Sequence, residues 1–135
     1  MTTDKNGIVV LDVNECMRRL ATHTPRIGRL AVNDAGVPTI FPINYVFADG
    51  TVIFRTDPGA KLDAALRHDS ASFEIDEVDP TWQEGWSVVV TGRLEEVCDA
   101  DEVAQMRSLP LRPWAGPKAA YMRLSPASIT GRSLA

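Results

Sequence analysis

Apolar residues recur in two different rhythms along the first half of the chain. After Asp12, the residues Val13, Cys16, Met17 and Leu20 return at helical spacing, the pattern of a helix that buries one face. Asp12 and Glu15 form an N-cap and capping-box-like pair at its start, so an amphipathic helix is predicted from there to about His23-Thr24-Pro25. A strand is predicted over 27–32, closed by the turn-forming Asn33-Asp34-Ala35-Gly36. The runs TIFPINYVF and TVIFR flank Asp49-Gly50, a strong type I′ hairpin signal. Pro38 and Pro42 lack an N–H for a ladder, so their strand is expected to be irregular, bulged or at an edge. A bulged strand would leave backbone groups free to meet a ligand.

In ASFEIDEV, Ala71, Phe73 and Ile75 alternate with polar neighbours, and GWSVVVTGRLEEV predicts a long strand with Trp86, Val88 and Val90 on one face. Asp99 and Glu102 predict the cap of a third helix reaching about Ser108. A Pro-rich link, LPLRPWAGP, leads to two more predicted strands, AYMRL and SITGR. The pattern adds up to six or seven antiparallel strands and three short helices, an α+β fold built on a small barrel. No internal repeat, low-complexity tract or linker divides the sequence.

At 135 residues the chain is expected to form one domain with a real core, and a site shared between subunits is plausible at this size. Its 44% hydrophobic and 24% charged residues are ordinary for a globular protein. A formal net charge of −4 with scattered arginines argues against nucleic acid as a partner, because such binders carry a clustered basic excess. Cys16 and Cys98 lie far apart without CxxC spacing or a histidine cluster, so both are read as buried structural thiols, and no metal site is predicted. The only apolar run near the N-terminus is the short IVVL, and no stretch reaches membrane-spanning length. A cytoplasmic protein without a membrane partner is expected.

The segment FRTDPGAKL concentrates the candidate chemistry. Asp57 is suited to cap a helix, Pro58 to its first position, and Gly59 and Ala60 leave the backbone N–H groups sterically open. Arg55 and Thr56 would end a strand, with Lys61 in the first helical turn, where the helix already presents partial positive charge. A guanidinium, a hydroxyl, an ammonium and oriented N–H groups together suit a terminal phosphate. Solvated cations paired with Asp57 or Asp63 explain the same spacing equally well.

The order of PINYVFADGTVIFRTDPGAKLDAAL followed by GWSVVVTGRLEEV resembles the pyridoxamine 5′-phosphate oxidase-like superfamily of FMN-binding split β-barrels. It is similar in particular to the nitroimidazole-reductase-like and actinobacterial branch, from about Leu11 to Arg132. The resemblance implies a Greek-key-like split barrel in which a bulged strand, here Pro42, Ile43, Asn44 and Tyr45, lies along the isoalloxazine ring. It implies a phosphate site at Arg55, Thr56 and Lys61, adjoined by Leu62, and a contribution from the partner subunit at Trp86 and Ser87. By its alternation with Val88 and Val90, Trp86 fits a core or dimer-interface role at least as well, while Trp82 and Trp114 read as loop aromatics.

A flavin carries its own redox chemistry, so the lack of a Ser-His-Asp order or another catalytic dyad is expected. His23 and His68 both fall at predicted helix ends, where a histidine favours the dipole. The resemblance implies an FMN-binding, oxidoreductase-like homodimer that passes hydride or electrons through flavin N5 to a small acceptor. A deazaflavin-dependent reductase and a non-catalytic flavin- or haem-binding carrier or sensor remain alternatives. The C-terminal SPASITGRSLA lacks an Arg- and His-rich ending, so oxidation of pyridoxamine phosphate itself is not expected.

Overall fold

The computed structural model describes residues 2–111 and 120–134. Trp114 and most of the Pro-rich link lie outside them. Two short strands, β1 (Thr2–Thr3) and β2 (Val9–Leu11), precede helix α1 (Val13–Thr22). The Asp12 carboxylate accepts the Glu15 backbone N–H at 2.8 Å, which satisfies one of the first-turn donors. Strands β3 (Ile27–Asp34) and β4 (Val37–Asn44) form a hairpin. Its turn residues Ala35 and Gly36 both have positive φ, 51° and 84°. Strands β5 (Val46–Ala48) and β6 (Thr51–Thr56) form the second hairpin. Asp49 and Gly50, at φ 51° and 73°, give the predicted primed turn.

Helix α2 (Ala60–Leu66), strands β7 (Ser70–Asp79) and β8 (Glu84–Glu96), helix α3 (Ala100–Met106) and strand β9 (Ala120–Leu134) complete the described chain. The single sheet runs β1-β2-β9-β8-β7-β3-β4, and β6 joins it through β9. Every pairing is antiparallel. Strand β9 is long enough to take β6 along Ala120–Leu124 and β2 along Gly131–Ser133, while β8 follows its other edge. A register shift between Thr91 and Gly92 bends this central pair. The sheet thereby curls into a half-barrel, an α+β split barrel.

Nine strands are described where six or seven are predicted. The difference has local causes: β1 and β2 add short strands before α1, and TIFPINYVF breaks at Tyr45 into β4 and β5. In the opposite sense, AYMRL and SITGR are one continuous strand, because β8 pairs with both. The core follows the alternation: Leu30, Phe54, Phe73, Ile75, Val88, Val90, Met122 and Leu124 are all fully buried. Each such side chain contributes about 1.5–3 kcal/mol of burial free energy. Cys16 is buried as expected, and burial pushes its thiol pKa up. Cys98 is exposed, contrary to expectation, since it follows the end of β8 on the approach to α3. Among the described residues no helix is long and apolar enough to cross a membrane, and no group of His, Cys, Asp or Glu is placed to hold a metal.

Candidate functional site

The end of β6 and the start of α2 meet at Gly59. This residue, not Asp57, occupies the N-cap position, and Ala60 is the first helical residue. Gly59 has φ 156° and ψ −162°, a region essentially closed to side-chain-bearing residues. The chain therefore turns into α2 through backbone geometry, and Pro58 stays outside the helix. Lys61 still falls in the first turn, as the sequence predicts.

The two cations of this corner each face an aromatic ring. The Lys61 ammonium lies 4.1 Å from the centroid of Phe41, on β4. The Arg55 guanidinium lies 5.0 Å from the centroid of Tyr121, its ladder partner on β9. Both distances fall within the range of a cation–π attraction. The first contact joins the start of α2 to β4, the strand carrying Pro42, Ile43 and Asn44. Phe41 and Tyr121 are not singled out by the sequence. Phe41 alternates toward the main core, whereas Tyr121 alternates away from Met122 and Leu124 and packs in a second apolar cluster with Ile53, so each reads as an ordinary packing residue.

The remaining predicted residues divide by side chain. Ile43 is buried in the core at 4% exposure. Tyr45 is at 1%, and its hydroxyl donates to the Leu20 carbonyl at 2.8 Å. Thr56 is also buried, and its hydroxyl donates to the Asp57 carbonyl at 3.1 Å. Its single proton is thus already engaged, unlike the free donor the sequence suggests. Leu62 packs half-buried against the core, Asn44 is half-buried and Pro42 is exposed. Strand β4 is not bulged: its ladder with β3 runs unshifted from Ile27↔Asn44 to Asp34↔Val37. The two prolines are tolerated because β4 lies at the end of the sheet path, paired with β3 alone along it.

Trp86 and Ser87 lie elsewhere and point apart. The β7–β8–β9 ladder is unshifted here, with Trp86 opposite Glu77 and Ser133, and Ser87 opposite Asp76 and Arg132. Neighbouring residues on such a strand face opposite sides. Trp86 packs against α1: Arg19 lies 4.7 Å over its ring, His23 meets it edge-on at 5.7 Å, and its indole N–H donates to Glu77 at 3.2 Å. It lines a cleft of about 380 Å³ with Arg19, Glu77, Glu84 and Leu134, among others, and no residue of the β4–α2 corner lines that cleft. The Trp86 side chain is therefore engaged away from the β4–α2 corner, and Arg55 and Thr56, neighbours on β6, alternate in the same way, with only Thr56 fully buried.

The histidines follow the helix-end reading. His23 is the C-cap of α1, its N–H bonded to the Arg19 carbonyl. His68, at φ 53°, follows α2 in the left-handed conformation, with its N–H bonded to Ala65 O and that of Asp69 to Ala64 O. That is the Schellman pattern.

Residues 12–133 match the pyridoxamine 5′-phosphate oxidase family, and the chain belongs to it. The uncharacterised protein Rv0080 of Mycobacterium tuberculosis is 41% identical over 112 residues, which are 79% of this chain and 72% of that one. A Corynebacterium glutamicum protein assigned to the pyridoxamine 5′-phosphate oxidases superposes with a TM-score of 0.79 at 32% identity, covering 97% of this chain and 96% of that one. An FAD-binding protein from Mycobacterium smegmatis superposes at 0.78 and 35% identity, covering 94% and 100%.

Proposed function

We propose that the chain is a flavin-binding protein of oxidoreductase type, with a flavin phosphate at Arg55 and Lys61 and the ring along the edge strand at Pro42, Ile43 and Asn44. The observation that carries this reading is the Lys61–Phe41 contact, which puts the cation of the α2 start beside β4, the end strand of the described sheet path. Family membership and the similarity to an FAD-binding protein support it. The shared chemistry is the flavin 5′-phosphate, terminal in FMN and joined to AMP by a phosphoanhydride in FAD, and FMN is the ligand proposed. Ile43 and Tyr45 would serve through backbone placement, since their side chains are in the core.

When bound, the flavin supplies hydride or electron transfer. The chain's own residues bind and orient it: Arg55 and Lys61 hold the anionic end, and the edge of β4 presents backbone groups to the ring. The second half of the site comes from a partner copy in a homodimer, and a small molecule is the acceptor.

An absorbance spectrum of the purified protein, followed by titration with FMN and riboflavin, tests this. FMN is expected to bind more tightly than riboflavin. Lys61→Ala should cost about 1.5–3 kcal/mol, the worth of a charge-assisted hydrogen bond, and so weaken FMN about ten- to a hundredfold while sparing riboflavin. Haem or deazaflavin bands in place of flavin, or equal losses for both ligands, would overturn the assignment.

A further inference from the structure

Both cations of the proposed anion corner are held against aromatic faces that come from different parts of the sheet. Phe41 lies on β4, at one end of the sheet path, and Tyr121 lies on β9, beside β6. We infer that Phe41 and Tyr121 are positioning residues for the ligand's phosphate, each fixing one cation by a cation–π contact. This inference rests on the flavin reading above.

The physical case is one of preorganisation. Lysine and arginine lose much rotamer freedom when they are fixed on a ligand, and a contact already present in the free protein lowers that cost. A ring face attracts the cation through its quadrupole and carries no formal charge. It restrains the side chain without itself neutralising the charge. Arg55 and Tyr121 are direct cross-strand partners, so the ladder itself sets their approach. Lys61 has no such register to rely on, because it is on a helix and its ring is on a strand. Phe41 is therefore the more consequential of the two.

The test is a set of FMN and riboflavin titrations, read by flavin fluorescence. Phe41→Leu should weaken FMN about two- to thirtyfold, the range that a cation–π contact supplies, and leave riboflavin unchanged. Phe41→Tyr retains a ring and should bind FMN like the wild type. In a Lys61→Ala background, Phe41→Leu should add no further loss, because the cation it serves is gone. Tyr121→Leu, with Tyr121→Phe as its conservative partner, should repeat the pattern through Arg55. Should Phe41→Leu fail to fold by thermal melting, Phe41→Met takes its place. Equal loss of FMN and riboflavin, or an effect undiminished by Lys61→Ala, would show that the rings support the fold or the ring pocket and would overturn the inference. A wild-type protein that binds riboflavin as tightly as FMN would remove the anion corner itself, and that result is visible without any aromatic variant.

Discussion

The phenolic hydroxyl of Tyr45 donates to the carbonyl oxygen of Leu20 at 2.8 Å, tying the break between β4 and β5 to the last turn of α1 inside the core. Tyr45 also meets Phe73 edge-on at 4.7 Å, and burial pushes its phenol pKa upward. Tyr45→Phe keeps the ring contact and leaves the Leu20 carbonyl without this donor. An unsatisfied buried acceptor costs about 1–3 kcal/mol. Urea unfolding should show that loss, while FMN affinity stays within a factor of about two. A large fall in FMN affinity at unchanged stability would instead put the Tyr45 side chain in the ligand site.

What could be read from the sequence was local. The Asp12 and Asp99 carboxylates cap their helices as predicted, because a cap involves residues within one turn, while the Glu15 carboxylate pairs with Arg18 and Arg19 and that of Glu102 with Arg123. The Asp49-Gly50 turn is equally local. The α2 start differs from the sequence expectation: Asp57 is a good capping residue, but the chain enters the helix at Gly59 through backbone angles that favour glycine. The buried fates of Tyr45 and Thr56 depend on what packs over them, Leu20 and Phe73 in the first case. The Arg55–Tyr121 pair depends on β6 joining β9, a pairing between segments far apart in sequence. Alternation within a strand says which residues share a face, but not which strand will lie beside them.

Glu74 predicts a pH dependence. Its carboxyl is pushed up to about 7, chiefly by burial and then by a hydrogen bond and like charge from Asp76, against the opposing pull of Arg29. Arg29 is its cross-strand partner on β3 and Val89 its partner on β8. Between the ordinary carboxylate value of 4.5 and about 7, the folded chain holds a proton that the unfolded chain has released. Stability should therefore fall as pH rises through that window. Glu74→Gln, which stays neutral, should flatten this fall in thermal melts from pH 4 to 8. An unchanged slope in the variant would assign the dependence to other groups.

Gly92 sits at the register shift between β8 and β9. A Cβ there would overlap the Ser125 carbonyl oxygen and come within 3.0 Å of the Pro126 Cα. These are backbone atoms of a paired strand, which yield poorly. Gly92→Ala should therefore cost about 1–3 kcal/mol or more by overpacking, seen as a lower urea midpoint. A midpoint matching that of wild type would mean that the bend tolerates a side chain and that the close approach relaxes at little cost.

Trp86 and Ser87 allow the shared-site proposal to be tested without knowing the substrate. Because they face opposite sides of β8, only one of them is placed to reach a flavin bound by the partner. Trp86 is already engaged by Arg19, His23 and Glu77 of its own chain, which leaves Ser87, on the face of Asp76 and Arg132, as the expected contributor. A bulky Ser87→Trp should then block FMN binding, as Lys61→Ala weakens it, each variant alone forming dimers with two damaged sites. If the subunits are unfolded together and refolded, about half the dimers pair one variant with the other. Each mixed dimer concentrates both changes in one site and leaves the second site intact, so roughly a quarter of all sites should recover wild-type affinity. Recovery read by FMN titration would support a site built across two chains through Ser87. No recovery, with dimers confirmed by sedimentation, would place Lys61 and Ser87 in the same subunit's site or remove Ser87 from it.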